Sequence, residues 1–339
     1  MTITLDAYHT MKLRATCRDV QPFYSLENLL TLSDEAGSNP VCVLGSGSNV
    51  ILPHHFDGLV LINAMQGVYQ LSSCDQFVEF EVAGGENWHD FVTWSVHSGC
   101  YGLENLALIP GTVGAAPVQN IGAYGVEIAD FLVSCRVWDR YQKKVLHLTK
   151  TQCGFSYRGS IFKHQAKGRY VILAVRLRLY KQPKCCLTYP RLRQFLQGHR
   201  GVITPKSVLD AVVSIRQRRL PDWKKTGTVG SFFTNPIISS EQADQLKGRC
   251  ENLSMIALAN QEVKLFAGEL LSLAGWRGYA ESQLATSAIN PLVLVHKGGG
   301  TRSQLREFTR KLQYSVQCQF GIDLQVEPEV FPDEDGWSN

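Results

Sequence analysis

The chain is poor in charge. Asp, Glu, Lys and Arg make up 19% of its 339 residues, and the formal net charge is only +4. That composition excludes a disordered, self-repelling chain. No basic stripe runs through it, so nucleic acid is not an expected partner, while a mild positive excess suits an anionic small molecule. No apolar run approaches the length of a membrane span, and residues 1–15 carry no apolar stretch behind a basic start. Membrane insertion is therefore not expected, and the expected compartment is the cytoplasm. None of the ten cysteines stands in CxxC spacing, which argues against a zinc site or a disulfide framework and for a reducing compartment. Cys17, Cys42, Cys74, Cys100, Cys135 and Cys153 lie among apolar residues and read as small core hydrophobes. Also missing are a GxGxxG between strand and helix and a Walker A loop, so neither a Rossmann dinucleotide site nor a P-loop is supported.

What is present is an unusual segment at 101–128, YGLENLALIPGTVGAAPVQNIGAYGVEI. It has five glycines and two prolines, and only Glu104 and Glu127 are charged. Ordinary loops are polar and solvated, and Pro110, Gly111, Gly114 and Pro117 break any helix here. Such a stretch makes sense where backbone runs close to a buried ligand, because glycine has no Cβ and tolerates positive φ. Bare N–H groups could then meet an anionic group. A buried core segment with tight turns explains the composition equally well.

The remaining pattern mixes strands and helices. Val41–Leu44, 58–63, Phe77–Ala83, 131–139 and Tyr170–Tyr180 read as strands, the last with Val171, Leu173, Val175, Leu177 and Leu179 on one face. Residues 86–98 read as a helix stopped by Gly99, and 207–220 as a helix with a capping box Ser207…Asp210, ended by Pro221. Residues 265–274 read as a helix and 292–296 as a strand. The 301–320 stretch is a helix capped by Thr301 and Gln304, striped with Leu305, Phe308, Leu312, Val316 and Phe320, and ended by Gly321. A last strand spans 324–330. Without strict βαβ alternation, the expected class is α+β.

Small motifs carry the chemistry. Gly45-Ser46-Gly47-Ser48-Asn49 follows a strand and could form an anion nest or be a plain polar turn. Ser156-Tyr157-Arg158-Gly159 sets a guanidinium among aromatic and apolar residues. Gly230-Ser231-Phe232-Phe233 sets a hydroxyl beside two phenylalanines, and Val326-Glu327-Pro328 sets a carboxyl in an apolar strand. Singly, Arg158 and Glu327 could be an ion pair and Ser231 a turn hydroxyl.

Taken in order, GSGSNVIL, GGENWHDFV, GLENLALIPGTVGAAPVQNIGAYGVEI, SYRGSIFKH, GSFFTNP and VEPEV resemble the UDP-N-acetylenolpyruvoylglucosamine reductase (MurB) family from His9 to Val330. Leu187-Thr188-Tyr189-Pro190 resembles the subclass with an extra loop tyrosine. Two departures stand out. Arg219 stands where the family commonly has lysine. The segment 280–296 has Ser287 and Asn290 instead of a glycine-rich turn followed by histidine, and His296 where an asparagine is common.

The resemblance implies a two-lobed FAD-binding fold of the vanillyl-alcohol-oxidase/PCMH type plus an α+β C-terminal substrate-binding domain. The lobes would span 1–67 and 68–205, the UDP-sugar domain 206–322, and a returning strand 323–339. It implies a monomer that uses FAD, takes NADPH as co-substrate and reduces the enolpyruvyl ether of UDP-N-acetylglucosamine. FAD would lie against Gly45, Ser46, Gly47, Ser48, Asn49, Pro110, Gly111, Gly114, Ala115, Asn120, Gly122, Ala123, Tyr124 and Gly125. Arg158, Ser231 and Glu327 would be catalytic: a guanidinium on the carboxylate, a hydroxyl proton donor, and a carboxyl kept protonated by burial. Tyr157, Tyr189, Arg219 and Asn235 would bind the UDP-sugar.

Overall fold

The computed structural model describes residues 2–199, 201–250, 253–332 and 337. They form two compact units. The first comprises Met1–Ile3, Cys17–Gly47 and Asp57–Arg218; the second comprises Thr4–Thr16, Ser48–Phe56 and Arg219–Asn339. Helices and strands are mixed in both, as the α+β expectation requires. Among the described residues no helix is long and apolar enough to cross a membrane.

The first unit is built on two sheets. In one, Val41–Leu44 lies parallel to His55–Asn63, which neighbours Thr16–Phe23. The other is antiparallel, in the order Lys144–Thr149, Leu132–Asp139, Tyr170–Tyr180, Phe77–Ala83, Val68–Ser73. The expected single apolar face of Tyr170–Tyr180 is corrected. The register against Leu132–Asp139 slips between Arg136–Ala174 and Val137–Ile172, leaving Leu173 as an extra residue. A bulge of this kind reverses the in–out alternation. Val171 and Leu173 therefore pack with Phe23, Leu29 and Leu61, whereas Ile172, Val175, Leu177 and Leu179 join the main core with Trp88 and Phe91. One strand thus stitches together two hydrophobic clusters.

Helices here begin where side chains satisfy orphan N–H groups. Asn87 Oδ1 accepts from Asp90 N–H at 3.0 Å and starts Trp88–His97. The cap of the helix Pro205–Arg219 lies three residues earlier than the Ser207…Asp210 box. Thr204 Oγ1 accepts from Ser207 N–H (3.2 Å) and Ser207 Oγ accepts from Thr204 N–H (2.8 Å), with Pro205 at the first helical position. Asp210 instead pairs with Lys206 at 2.8 Å. Cys74 is also corrected: it is exposed, between two strands of the antiparallel sheet, whereas Cys17, Cys42, Cys100, Cys135 and Cys153 are buried.

In the second unit the helix Arg302–Phe320 has the expected Thr301/Gln304 box, a left-handed Gly321 cap (φ 71°) and a fully buried Leu305–Phe308–Leu312–Val316 stripe. The expected strand at 324–330 shrinks to Glu329–Val330, parallel to Val50–Ile51, plus a bridge from Val326 to Phe233. Pro328 has no N–H to continue the ladder. His9 and His296 close the N-terminal segment over this unit. His9 Nε2 donates to Leu13 O at 3.0 Å; His296 Nδ1 donates to Met11 O at 3.0 Å, and its Nε2 accepts from Gly300 N–H at 2.7 Å. Burial, above all, pulls both imidazoles below the usual histidine range, against the opposing pull of those main-chain bonds and Asp6. The unfolded chain therefore takes up protons first, near the ordinary value of about 6.5, and stability present above that pH drains away as pH falls. The melting temperature should drop from about pH 7 to about pH 5, less steeply in His9→Gln. Equal slopes in the two proteins would exclude His9 as a source.

Candidate active site

The glycine-rich segment lies along the start of the helix Trp88–His97. Trp88 N–H donates to Gly111 O (3.1 Å), Val113 N–H to Glu86 O (2.9 Å) and Gly114 N–H to Gly84 O (2.9 Å). Close approach requires glycine at both ends of that last bond: a Cβ on Gly114 would stand 2.9 Å from Gly84 Cα and O. Gly45, at the end of Val41–Leu44, faces the same segment, and a Cβ there would run into the Thr112 hydroxyl and stand 3.5 Å from Ala115 Cβ. The Thr112 hydroxyl is itself buried and, among the described residues, has no hydrogen-bond partner. Ser48 and Asn49 fall in the second unit, where Ser48 O accepts from the Thr10 hydroxyl at 3.2 Å and Asn49 O from Glu329 N–H at 2.9 Å.

Farther along, Gly122–Ala123 pairs with Val126–Glu127, leaving Tyr124 and Gly125 as a two-residue turn. Both have positive φ, 51° and 87°, the signature of a tight type I′ hairpin. Leu108 (φ 58°) and Asn120 (φ 46°) are also left-handed. Non-glycine residues in that region are strained, and such strain concentrates at functional sites.

The same unit brings Arg158, Tyr157 and Tyr189 to this hairpin. Ser156 and Gly159 exchange N–H···O bonds of 3.1 and 3.2 Å, so Tyr157 and Arg158 form the tip of another tight turn, with Arg158 at φ 54°. Arg158 Nη2 donates to Gly122 O at 2.7 Å, and its guanidinium lies 5.2 Å from the Tyr157 ring centre. Tyr189 meets Tyr124 edge to face at 5.3 Å. Asn105, 1% exposed, latches the Tyr189 loop onto the hairpin, because its Nδ2 donates to both Tyr124 O and Cys186 O at 2.9 Å.

The second unit holds Ser231, Asn235 and Glu327. Ser231 bridges to Val293, Phe232 N–H donates to Leu292 O (2.8 Å), and Glu327 N–H donates to Phe232 O (2.9 Å). The GSFF strand is thus clamped between two neighbours, with Phe232 and Phe233 fully buried as anchors and Ser231 and Glu327 only half-buried. Asn235 Oδ1 caps Ala267 N–H at 3.0 Å. Arg219 ends the helix Pro205–Arg219 and is half-buried. Two of the divergent side chains, Ser287 and His296, have structural tasks. Ser287 Oγ accepts from Ile289 and Asn290 N–H (3.2 and 3.3 Å), and His296 is the buried latch described above.

Two relatives decide the family. A UDP-N-acetylenolpyruvoylglucosamine reductase of Chromobacterium violaceum is 44% identical over 295 residues, 86% of each chain. One of Pseudomonas putida is 37% identical over 334 residues, 97% of this chain and 98% of its own. The chain belongs to the UDP-N-acetylenolpyruvoylglucosamine reductase family. Residues 25–149 match the FAD binding domain family, and 222–331 match the C-terminal domain of UDP-N-acetylenolpyruvoylglucosamine reductase. The crystal structure of the reductase (MurB) from Thermus caldophilus has the same fold, with a TM-score of 0.65 at 22% identity and 98% coverage of both chains.

The residues of the glycine-rich segment fit the flavin dinucleotide that the matched domain implies. A buried, unanswered hydroxyl at Thr112 needs a hydrogen-bond partner, and the glycines around it leave backbone bare. Arg216, on the helix Pro205–Arg219, adds a cation. Its Nε donates to Leu108 O at 3.2 Å, and among the described residues no carboxylate pairs with it. Burial pushes this guanidinium below the ordinary arginine range, and neighbouring Arg158 pushes the same way. A desolvated cation beside a second one calls for an anion. The signal was legible: Val208, Val212 and Arg216 are four apart, so Arg216 lies on the buried face of its helix. Glu104 gave no such signal. It is 1% exposed, burial raises its pKa, and its Oε2 accepts from Gly102 N–H at 2.7 Å.

Proposed function

We propose that this protein is an FAD-dependent oxidoreductase that uses NADPH to reduce the enolpyruvyl ether of UDP-N-acetylglucosamine to UDP-N-acetylmuramate, a step of peptidoglycan precursor synthesis in the cytoplasm. Family membership supports the reaction. The observation that carries the site is a pair of guanidinium groups on the glycine-rich segment, Arg158 bonded to Gly122 O of the left-handed hairpin and the buried-face Arg216 bonded to Leu108 O.

Bound FAD would supply the hydride chemistry at the terminal vinyl carbon, with NADPH as the source of reducing equivalents. The chain must manage the negative charge that then builds on the neighbouring carbon and spreads into the carboxylate. Arg158 binds that carboxylate through a planar guanidinium, pre-set by its bond to Gly122 O. Glu327, as a protonated carboxyl, hydrogen-bonds to the same developing charge. Ser231 Oγ–H donates the proton that completes the saturated product; a hydroxyl suffices because a carbanion-like centre is strongly basic. Gly45, Ser46, Gly47, Ser48 and Asn49, with Pro110, Gly111, Gly114, Ala115, Gly122, Ala123, Tyr124 and Gly125, hold the cofactor by close backbone approach. Tyr157, Tyr189, Arg219 and Asn235 bind the UDP-sugar, and the protein works as a monomer.

A visible spectrum tests the reading. The purified protein should be yellow, lose its flavin absorbance on anaerobic addition of NADPH, and regain it when the enolpyruvyl sugar nucleotide is added without oxygen. Recovery with oxygen alone and no response to the sugar nucleotide would point to an oxidase, and a colourless protein that takes up no flavin would end the reading altogether.

A further inference from the structure

Asn120 was expected to touch the cofactor, yet its side chain is spent on the protein. It is 1% exposed. Its Nδ2 donates to Glu127 Oε2 at 2.7 Å and to Ser156 O at 3.0 Å, and its Oδ1 accepts from Ala129 N–H at 3.2 Å. An amide nitrogen carries two hydrogens, so no donor remains for a ligand. We propose that Asn120 is a positioning residue, which holds the Ser156–Gly159 turn so that Arg158 meets the substrate carboxylate at a fixed angle. This rests on the reading of Arg158 given above.

The geometry is that of a brace. Ser156 O accepts at once from Gly159 N–H, which closes the turn (3.2 Å), and from Asn120, which pins it. On the other flank Ser160 Oγ donates to Val118 O at 2.6 Å. Two residues beyond Asn120, Gly122 supplies the carbonyl that Arg158 grips. Asn120 therefore sets the separation between the turn that carries the guanidinium and the carbonyl that orients it. Residue type follows from these demands. Asparagine tolerates φ 46° better than most side chains. Aspartate has no hydrogens to give and would set a second carboxylate against Glu127. A guanidinium recognises a carboxylate through two parallel bonds, so a tilt of the turn costs binding in the transition state even if the charge stays nearby.

The test is a double-mutant cycle on the flavin-loaded protein. Asn120→Gly removes all three hydrogen bonds while accepting positive φ; Asn120→Asp keeps the shape and removes both donors, and serves if the glycine variant folds poorly. Each is made alone and with Arg158→Ala, and stopped flow reads flavin reduction by NADPH and reoxidation by the enolpyruvyl sugar. Residues joined through one hydrogen-bond network are energetically coupled, so reoxidation should slow about tenfold or more with Arg158 present and barely change in Arg158→Ala. Flavin reduction by NADPH should stay near normal. An equal loss in both backgrounds, or no loss in either, overturns the brace while leaving Arg158 catalytic. Unchanged reoxidation in Arg158→Ala alone overturns the role of Arg158, and the brace with it.

Discussion

Ser231→Ala will be reduced by NADPH at close to the normal rate and will then stall, with reoxidation by the enolpyruvyl sugar slowed about 10²–10⁴-fold, the range expected for loss of a positioned proton donor. That is a barrier increase of about 3–5 kcal/mol. The change should leave the fold almost untouched. Ser231 is only half-buried, and its strand is anchored by the buried Phe232 and Phe233 and by the bonds to Leu292 and Glu327. Removing one hydroxyl from such a position alters stability by well under about 1 kcal/mol. A kinetic loss with an unchanged melting temperature thus isolates chemistry from folding. Hydride transfer itself does not need the hydroxyl. The defect should therefore sit in protonation, and a solvent isotope effect on reoxidation should change between the two proteins. Normal turnover by Ser231→Ala would remove Ser231 from the reaction.

Legibility in the sequence followed how local each determinant is. The helix Arg302–Phe320 was readable end to end because its cap, its stripe and its glycine stop are all encoded within the segment. The face of Tyr170–Tyr180 was not, since the bulge at Leu173 is a property of the pairing with Leu132–Asp139 and leaves no mark on the strand's own alternation. The 324–330 stretch is broken for a related reason: Pro328 interrupts the ladder, so Val326 bridges to Phe233 on one side while Glu329 and Val330 pair with Val50–Ile51, far earlier in the chain.

In the proposed site, motif order singles out Arg158, Ser231 and Glu327, yet it does not separate residues that would touch ligand from residues that hold others in place. Asn120 lies in the same glycine-rich block as Gly122 and Tyr124, and only the hydrogen-bond inventory shows that its donors are already used. Arg216 shows the opposite failure. It stands in no motif named from the sequence, although its spacing from Val208 and Val212 puts it on the apolar stripe. Of the departures at Ser287, Asn290 and His296, the side chains of Ser287 and His296 have local hydrogen-bonding tasks.

The largest effect on cofactor retention is expected from Gly114→Ala. A methyl group at this position would lie 2.9 Å from both Cα and O of Gly84, and 3.2 Å from its carbonyl carbon. Those atoms are backbone and cannot rotate aside. Gly84 is itself held, because its N–H donates to Leu173 O at 2.8 Å and its own missing Cβ faces Asn63 Nδ2 and Ile172 O at 2.6 Å. The glycine-rich segment must therefore move off the sheet, breaking the bond from Gly114 N–H to Gly84 O and straining the neighbouring one from Val113 to Glu86. Overpacking of this kind costs about 1–3 kcal/mol, and the cost falls on the segment that would face the flavin. Affinity for FAD should fall by about tenfold to a hundredfold if that strain is borne by the bound state alone, and the protein should purify with a low flavin-to-protein absorbance ratio. Gly248→Ala is the control: its backbone is right-handed, and the nearest atom to an added Cβ is 3.7 Å away, so that variant should keep its colour. A Gly114→Ala protein as yellow and as stable as the parent would mean that the Gly84–Gly114 contact yields easily, and that this stretch does not set the fit of the cofactor.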